Sequence, residues 1–310
     1  MTRMGRKGQP ASLIEWPPRL VEDIARRRAV LFFGSGISAN ARSADGTRHP
    51  PTWAELLCLA ADAIAPSASR LAEEVRAFVA RGDVLTAAEI VRRVLGQRRL
   101  TALLRRELVT PRFEAAPIHD ALIALDFRIT LTPNFDTLYE ARAHSHGTAP
   151  VVVCDYSNPT VAARVREDCN LIIKTHGSMS HPASLIFSRC DYVRARAHYR
   201  AFYDLVEALL RTHTFLFLGC GIDDSDMRAL LEAYGAEHPG AERHYFVTAA
   251  DTFSDITAAV LEDALNLHVL RYQAQASDHS ALLAAVRALG TAVQRERTAM
   301  RGHHPRGAKR

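Results

Sequence analysis

Short, unbroken apolar runs recur along this chain, each bounded by turn residues and separated by longer stretches with helical spacing. The runs are Ala29–Phe33, Phe127–Leu131, Val151–Cys154, Leu171–Lys174, Phe215–Leu218, Tyr245–Thr248 and His268–Tyr272. Apolar residues in succession, without alternation, fit strands buried on both faces, as in a parallel sheet. Leu185–Ser188 is a candidate for one more short strand. Helical spacing covers Val193–Thr212, Ser225–Gly235 and Ser280–Val293. Buried strands alternating with helices predict an α/β fold, a Rossmann-like, doubly wound and mainly parallel sheet.

One interval breaks the alternation. From Thr52 to about Ile118 the chain is rich in Ala, Leu, Arg and Glu and has no strand signal. Thr52 followed three residues later by Glu55 matches a capping box at a helix start. Pro66, Gly82, Gly96 and Pro111 divide the interval into four predicted helices. It is too long for an ordinary strand-to-helix connection, so residues 52–118 are expected to form a helical insertion subdomain. The predicted organisation is a basic N-terminal tail (1–10), one domain (11–293) carrying the insertion, and a basic C-terminal tail (294–310).

Charge changes this picture little. The net charge is +5, but residues 1–10 carry +3 and residues 291–310 carry another +5, which leaves the body at −3. The basicity sits in the tails and reads as solvated ends, so direct nucleic-acid binding is not expected. Arginines 92, 93, 98, 99, 105 and 106 either solvate the insertion's surface or form a docking face. The five cysteines include no C-x-x-C pair, which supports neither a disulfide framework nor a zinc ribbon. No long apolar run and no signal-peptide core are present, so a soluble, cytoplasmic protein with reduced thiols is expected, without a membrane association.

Candidate chemistry gathers at the ends of four predicted strands, where ligands of open parallel sheets bind. The first strand runs into Gly34-Ser35-Gly36-Ile37-Ser38, a turn suited to a pyrophosphate or simply to a tight strand-to-helix reversal. The second ends at Thr132-Pro133-Asn134-Phe135-Asp136. Its Asn and Asp could read a carboxamide, a ribose hydroxyl or a water, or could cap the next helix in an Asx turn. Lys174-Thr175-His176-Gly177 places a His at another strand end, where it can serve as a general base or as a structural group. Gly219-Cys220-Gly221 leads into Asp223, Asp224, Ser225 and Asp226, where Ser225 or Asp224 can cap a helix, one of the acidic residues can bind a ribose, or both.

Taken in order, these four elements resemble the sirtuin superfamily, in which a G-A-G-x-S loop, a T-x-N-x-D motif, an H-G motif and a late glycine turn surround NAD. The four-cysteine zinc module of deacylase sirtuins is missing, and Pro51-Thr52-Trp53-Ala54-Glu55-Leu56 replaces their first-loop sequence. That Pro-x-Trp-x-x-Leu pattern is similar to a bacterial sirtuin-like subgroup of NAD-consuming anti-phage effectors. The resemblance implies hydrolysis of NAD, as substrate and with no metal, at the nicotinamide–ribose bond. It makes Asn134 and His176 catalytic, and Gly34, Ser35, Gly36, Ser38, Trp53, Thr132, Asp136, Gly219, Gly221 and Asp226 binding residues. It also implies a homo-oligomer restrained by a separately encoded partner, such as a hexameric DNA-translocase ATPase or another sensor. The alternatives are a module that senses NAD or an ADP-ribose derivative without turnover, and a protein deacylase or ADP-ribosyltransferase.

Overall fold

The structure, a computed structural model, describes residues 14–146, 149–221, 224–274 and 280–302, and of Ser225 and Asp226 the backbone only. The elements run α1 (Pro18–Ala25), β1 (Ala29–Phe33), α2 (Ser35–Ser38), α3 (Trp53–Ala80), α4 (Val84–Leu108), α5 (Pro117–Ile123) and β2 (Ile129–Thr132). They continue with α6 (Leu138–His146), β3 (Val151–Asp155), α7 (Val161–Arg164), β4 (Asn170–Lys174), α8 (Arg189–His198) and α9 (Arg200–Thr212). The chain closes with β5 (Thr214–Leu218), α10 (Ser225–Glu237), β6 (His244–Ala249), α11 (Asp255–Leu265), β7 (Leu267–Tyr272) and α12 (Ser280–Gly302).

Seven strands form one sheet in the order β3-β4-β2-β1-β5-β6-β7, and every pair is parallel. This is the Rossmann-like α/β architecture that the strand pattern predicts. All five residues of β1 are buried, because the central strand is covered on both faces. Leu31, Phe33, Leu216 and Leu218 face a layer containing α1, α5 and α12, while Val30, Phe32, Phe215 and Phe217 face α8, α9 and α10. After β1 the chain builds outward on one side, through β2, and after β4 it crosses to the other side for β5. Such a reversal leaves a crevice beyond the strand ends, here at β1, β2, β4 and β5.

The interval between β1 and β2 forms the expected helical insertion. Thr52 Oγ1 accepts the Glu55 N–H at 3.4 Å and Glu55 Oε2 accepts the Thr52 N–H at 2.7 Å, so the capping box is made. Helix α3 breaks at Ala68 (φ −155°), two residues past Pro66, and α4 breaks at Gly96 (φ 66°). The insertion packs its own core, which also takes in Phe135, Met179, Leu185 and Phe187 from the loops above the sheet. Polar contacts tie its α4 to α8, with Arg189 on Asp83 at 3.1 Å and Arg92 on Asp191 at 3.3 Å. Arg93 pairs with Glu89 and Arg106 with Glu107, so these three arginines of the α4 cluster are used within the chain.

Two expectations change. Leu185–Ser188 is not a strand, because the Asp191 carboxylate takes the N–H groups of Phe187 (3.3 Å) and Ser188 (3.0 Å). Those donors are therefore unavailable to a ladder. Helix α12 continues past residue 293 to Gly302, where the sequence suggested a solvated tail. Val293 is fully buried, and Arg297 donates to the Leu125 carbonyl at 2.9 Å. No helix among the described residues is long and apolar enough to cross a membrane.

Candidate active site

A cavity of about 410 Å³ lies between the C-terminal strand ends and the helical insertion. Gly34, Ser35, Gly36, Trp53, Asn134, Asp136, His176, Gly219 and Gly221 all line it, and so do Tyr192, Cys220 and Asp224. Of the other sequence candidates, Ser38 and Thr132 stand behind this wall. Asp223 and the side chain of Asp226 lie outside the described residues.

The turns after β1 and β5 press against each other. Gly34 N–H donates to the Leu218 carbonyl (3.0 Å) and Gly36 N–H to the Gly219 carbonyl (2.8 Å). A Cβ at Gly34 would lie 2.7 Å from Gly219 O, and one at Gly36 2.8 Å from the same atom. Gly219 has φ +58°, a conformation that disfavours any side chain. These glycines are thus required by turn-to-turn contact, and two of the N–H groups suited to a pyrophosphate are already engaged.

Asn134 is buried and held from two sides. Its N–H donates to Thr132 Oγ1 (3.2 Å), and its Nδ2 donates to Ser38 Oγ (3.0 Å). With one of the two amide hydrogens committed, Oδ1 and the second N–H are left for a bound molecule. Asp136 forms an Asx turn, its Oδ1 accepting the Leu138 N–H at 3.1 Å, and so starts α6 while also lining the cavity. Its carbonyl accepts from Lys174 Nζ at 2.5 Å, and the same ammonium pairs with Glu140 Oε1 at 2.8 Å. Both members of that pair are buried. Burial pushes the Glu140 carboxyl up, with the Lys174 charge opposing the shift.

His176 is also fixed on both sides. Its Nε2 stands 3.3 Å from Asp224 Oδ2, and its Nδ1 is 3.3 Å from the Tyr192 hydroxyl. The next residue, Gly177, has φ +80°, and a Cβ there would meet Ser184 O at 2.7 Å. Asp224 Oδ1 accepts the Met227 N–H at 2.9 Å, capping α10. Above, Trp53 meets Phe187 edge-on (5.0 Å) and Phe135 (5.9 Å), so the insertion provides an aromatic roof. Desolvation pushes the Cys220 thiol up to about 12, which keeps it protonated and unsuited as a nucleophile near neutral pH.

Tyr192, Lys174 and Glu140 escaped the sequence reading, since nothing in their local context separates them from ordinary strand-end or helical residues. Asp136 and Asp224 are the charged carboxylates among the described lining residues, and no Lys or Arg lies among them. Two carboxylates, an amide and an imidazole under an apolar roof suit a reaction in which positive charge develops on the substrate. Among the described residues no group of three His, Cys, Asp or Glu side chains is placed to hold a metal ion.

Comparison with known proteins follows the same residues. Positions 128–270 match the family profile described as a SIR2-like domain, which takes in Asn134, Asp136, His176, Gly219 and Asp224. Over 118 residues, 37% of this chain, the sequence is 25% identical to defense-associated sirtuin 2 of Bacillus subtilis, 11% of which is covered. Over 229 residues, 74% of this chain, it is 24% identical to the NAD(+) hydrolase ThsA of Acinetobacter baumannii (strain 532279), 43% of which is covered. The chain therefore spans less than half the length of either relative.

Proposed function

We propose that this chain, which carries a SIR2-like domain, hydrolyses NAD+ to nicotinamide and ADP-ribose and serves as an effector of anti-phage defence. The observation that carries this reading is the convergence of Asn134 and His176, from strands adjacent in space but not in sequence, in one cavity whose described lining holds two aspartates and no Lys or Arg. The likeness to a defence-associated sirtuin and to an NAD(+) hydrolase supports the choice of substrate.

The chemistry asks for little covalent help from the protein. As the C1′–N bond of NAD+ breaks, its electron pair goes to the nicotinamide, which leaves neutral, and C1′ takes on oxocarbenium character. Asp136 stabilises that charge from a partly desolvated wall, where a fixed field acts most strongly. Asp136 also accepts from the carboxamide, and Asn134 Oδ1 orients the attacking water. The water oxygen bonds to C1′, and its proton passes to His176 and then to solvent. Strict control follows from such an activity, and a separate partner or an oligomeric change would provide the trigger.

The test is incubation of purified protein with NAD+, with nicotinamide and ADP-ribose followed by chromatography and Asn134→Ala run alongside. Product from the wild type, with a loss of about 100-fold or more in a folded Asn134→Ala protein, is expected. Full activity in that variant overturns the assignment. Tight NAD+ binding without product, in the presence or absence of partner proteins, favours a sensing module instead.

A further inference from the structure

The cavity holds a line of three groups that the hydrolase reading uses only in part. Asp224 Oδ2 faces His176 Nε2 at 3.3 Å, and the Tyr192 hydroxyl faces Nδ1 at 3.3 Å. The ring of His176 also packs edge-on against Tyr192, 4.9 Å between centroids at 70°. The three side chains come from different elements, the β4 end, the start of α8 and the cap of α10, so three packed segments hold the line in place. Both imidazole nitrogens have partners, and no bare nitrogen is presented to a bound molecule. Tyr192 and Asp224 both line the cavity with His176.

Resting on the NAD+-hydrolase reading, we propose that Tyr192 is a catalytic residue that relays a proton to His176, and that Asp224 is the positioning residue that sets the His176 tautomer. A carboxylate beside Nε2 favours the form with the hydrogen on Nε2, which leaves the Nδ1 lone pair to accept the Tyr192 hydroxyl. This is the arrangement of a base oriented by a third group. As the water oxygen bonds to C1′ and the C1′–N bond breaks, the Tyr192 oxygen takes the water proton and its own proton moves to Nδ1. Tyrosine ends neutral, and imidazolium faces the Asp224 carboxylate before releasing its proton to solvent. The second oxygen of Asp224 caps α10, which ties the tautomer to the seating of that helix.

The capping role allows a clean test, because Asn caps a helix about as well as Asp. Asp224→Asn therefore keeps the bond to Met227 and removes the charge beside His176. Nitrogen NMR of the full chain with labelled histidine, His176 being assigned by the signals lost in His176→Gln, reads the tautomer without any turnover. The Nε2–H form is expected in the wild type and in Tyr192→Phe, and a mixed or reversed tautomer in Asp224→Asn. In NAD+ cleavage, Asp224→Asn and Tyr192→Phe should each lower kcat by about 100-fold while KM moves less than about threefold. An unchanged tautomer in Asp224→Asn, or wild-type kcat in either folded variant, overturns the relay. A wild type that never cleaves NAD+ sinks the hydrolase reading, and the tautomer measurement then decides the Asp224 role by itself.

Discussion

Replacing Lys174 by methionine tests how the two central loops are held. Lys174 is 1% exposed, and its ammonium spans the Asp136 carbonyl (2.5 Å) and the Glu140 carboxylate (2.8 Å). Removing it leaves a buried carboxylate and a buried carbonyl without their donor. Breaking one side of a buried ion pair costs about 3–5 kcal/mol. The double variant Lys174→Met with Glu140→Leu removes both charges and fills the space with apolar atoms. Its cost should fall to about 1–3 kcal/mol, the penalty for the unsatisfied Asp136 carbonyl. The double variant is then about 2 kcal/mol more stable than Lys174→Met alone, which shows that the two sites are coupled. The pH dependence carries a sign. Burial already raises the Glu140 carboxyl, and losing Lys174 raises it further. A carboxyl raised in the folded state contributes stability below its ordinary value of 4.5 that is lost as pH climbs through the folded value. Lys174→Met should therefore lose more stability near pH 8 than near pH 5. Urea unfolding followed by circular dichroism at both pH values measures this. A single variant costing under about 1 kcal/mol, or a double variant no more stable than the single ones, refutes the argument.

Two further outcomes follow. Gly219→Ala puts a side chain at φ +58°, with its Cβ 2.8 Å from Ile37 N. It should cost about 1–3 kcal/mol in urea and abolish the proposed NAD+ cleavage, and wild-type behaviour in both would show that the turns need not touch. His244 is lowered by burial from 6.5 to about 4. The unfolded chain then binds more protons, so stability drops by about 3 kcal/mol as pH falls from about 6.5 to about 4. His244→Gln should remove that component from the pH–stability curve, and an unchanged slope would count against it.

The sheet was legible because its strands are buried on both faces and so announce themselves as unbroken apolar runs. Phe127–Leu131 marks β2 with an offset at its start, since Asp126 sits at φ +56° and the chain enters the ladder only at Ile129. The insertion was legible through its breakers, with Pro66, Gly82 and Gly96 each at or near a departure from helical geometry. Leu185–Ser188 misled because Asp191, three residues beyond, captures its N–H groups through a side chain. For the site, motifs revealed Asn134 and His176 but not their neighbours. Tyr192 reaches His176 only because α8 crosses the β4 end, and Lys174 meets Glu140 only because β2 and β4 are adjacent while β3 lies outside them. Strand order is a long-range property, and so is the seating of the α10 cap, which brings the Asp224 carboxylate to His176.

The contact between the β1 and β5 turns has a meaning for synthesis. Gly36 and Gly219 are more than half the chain apart, yet the N–H of one seats on the carbonyl of the other. A growing chain that has made Trp53, Asn134 and His176 still lacks the neighbour on the second side of β1, together with Tyr192's distant counterpart Asp224. Pairings of this separation form late and slowly. The cavity cannot close until β5 has emerged and docked beside β1, so any activity it houses is withheld from a nascent chain that ends before that strand.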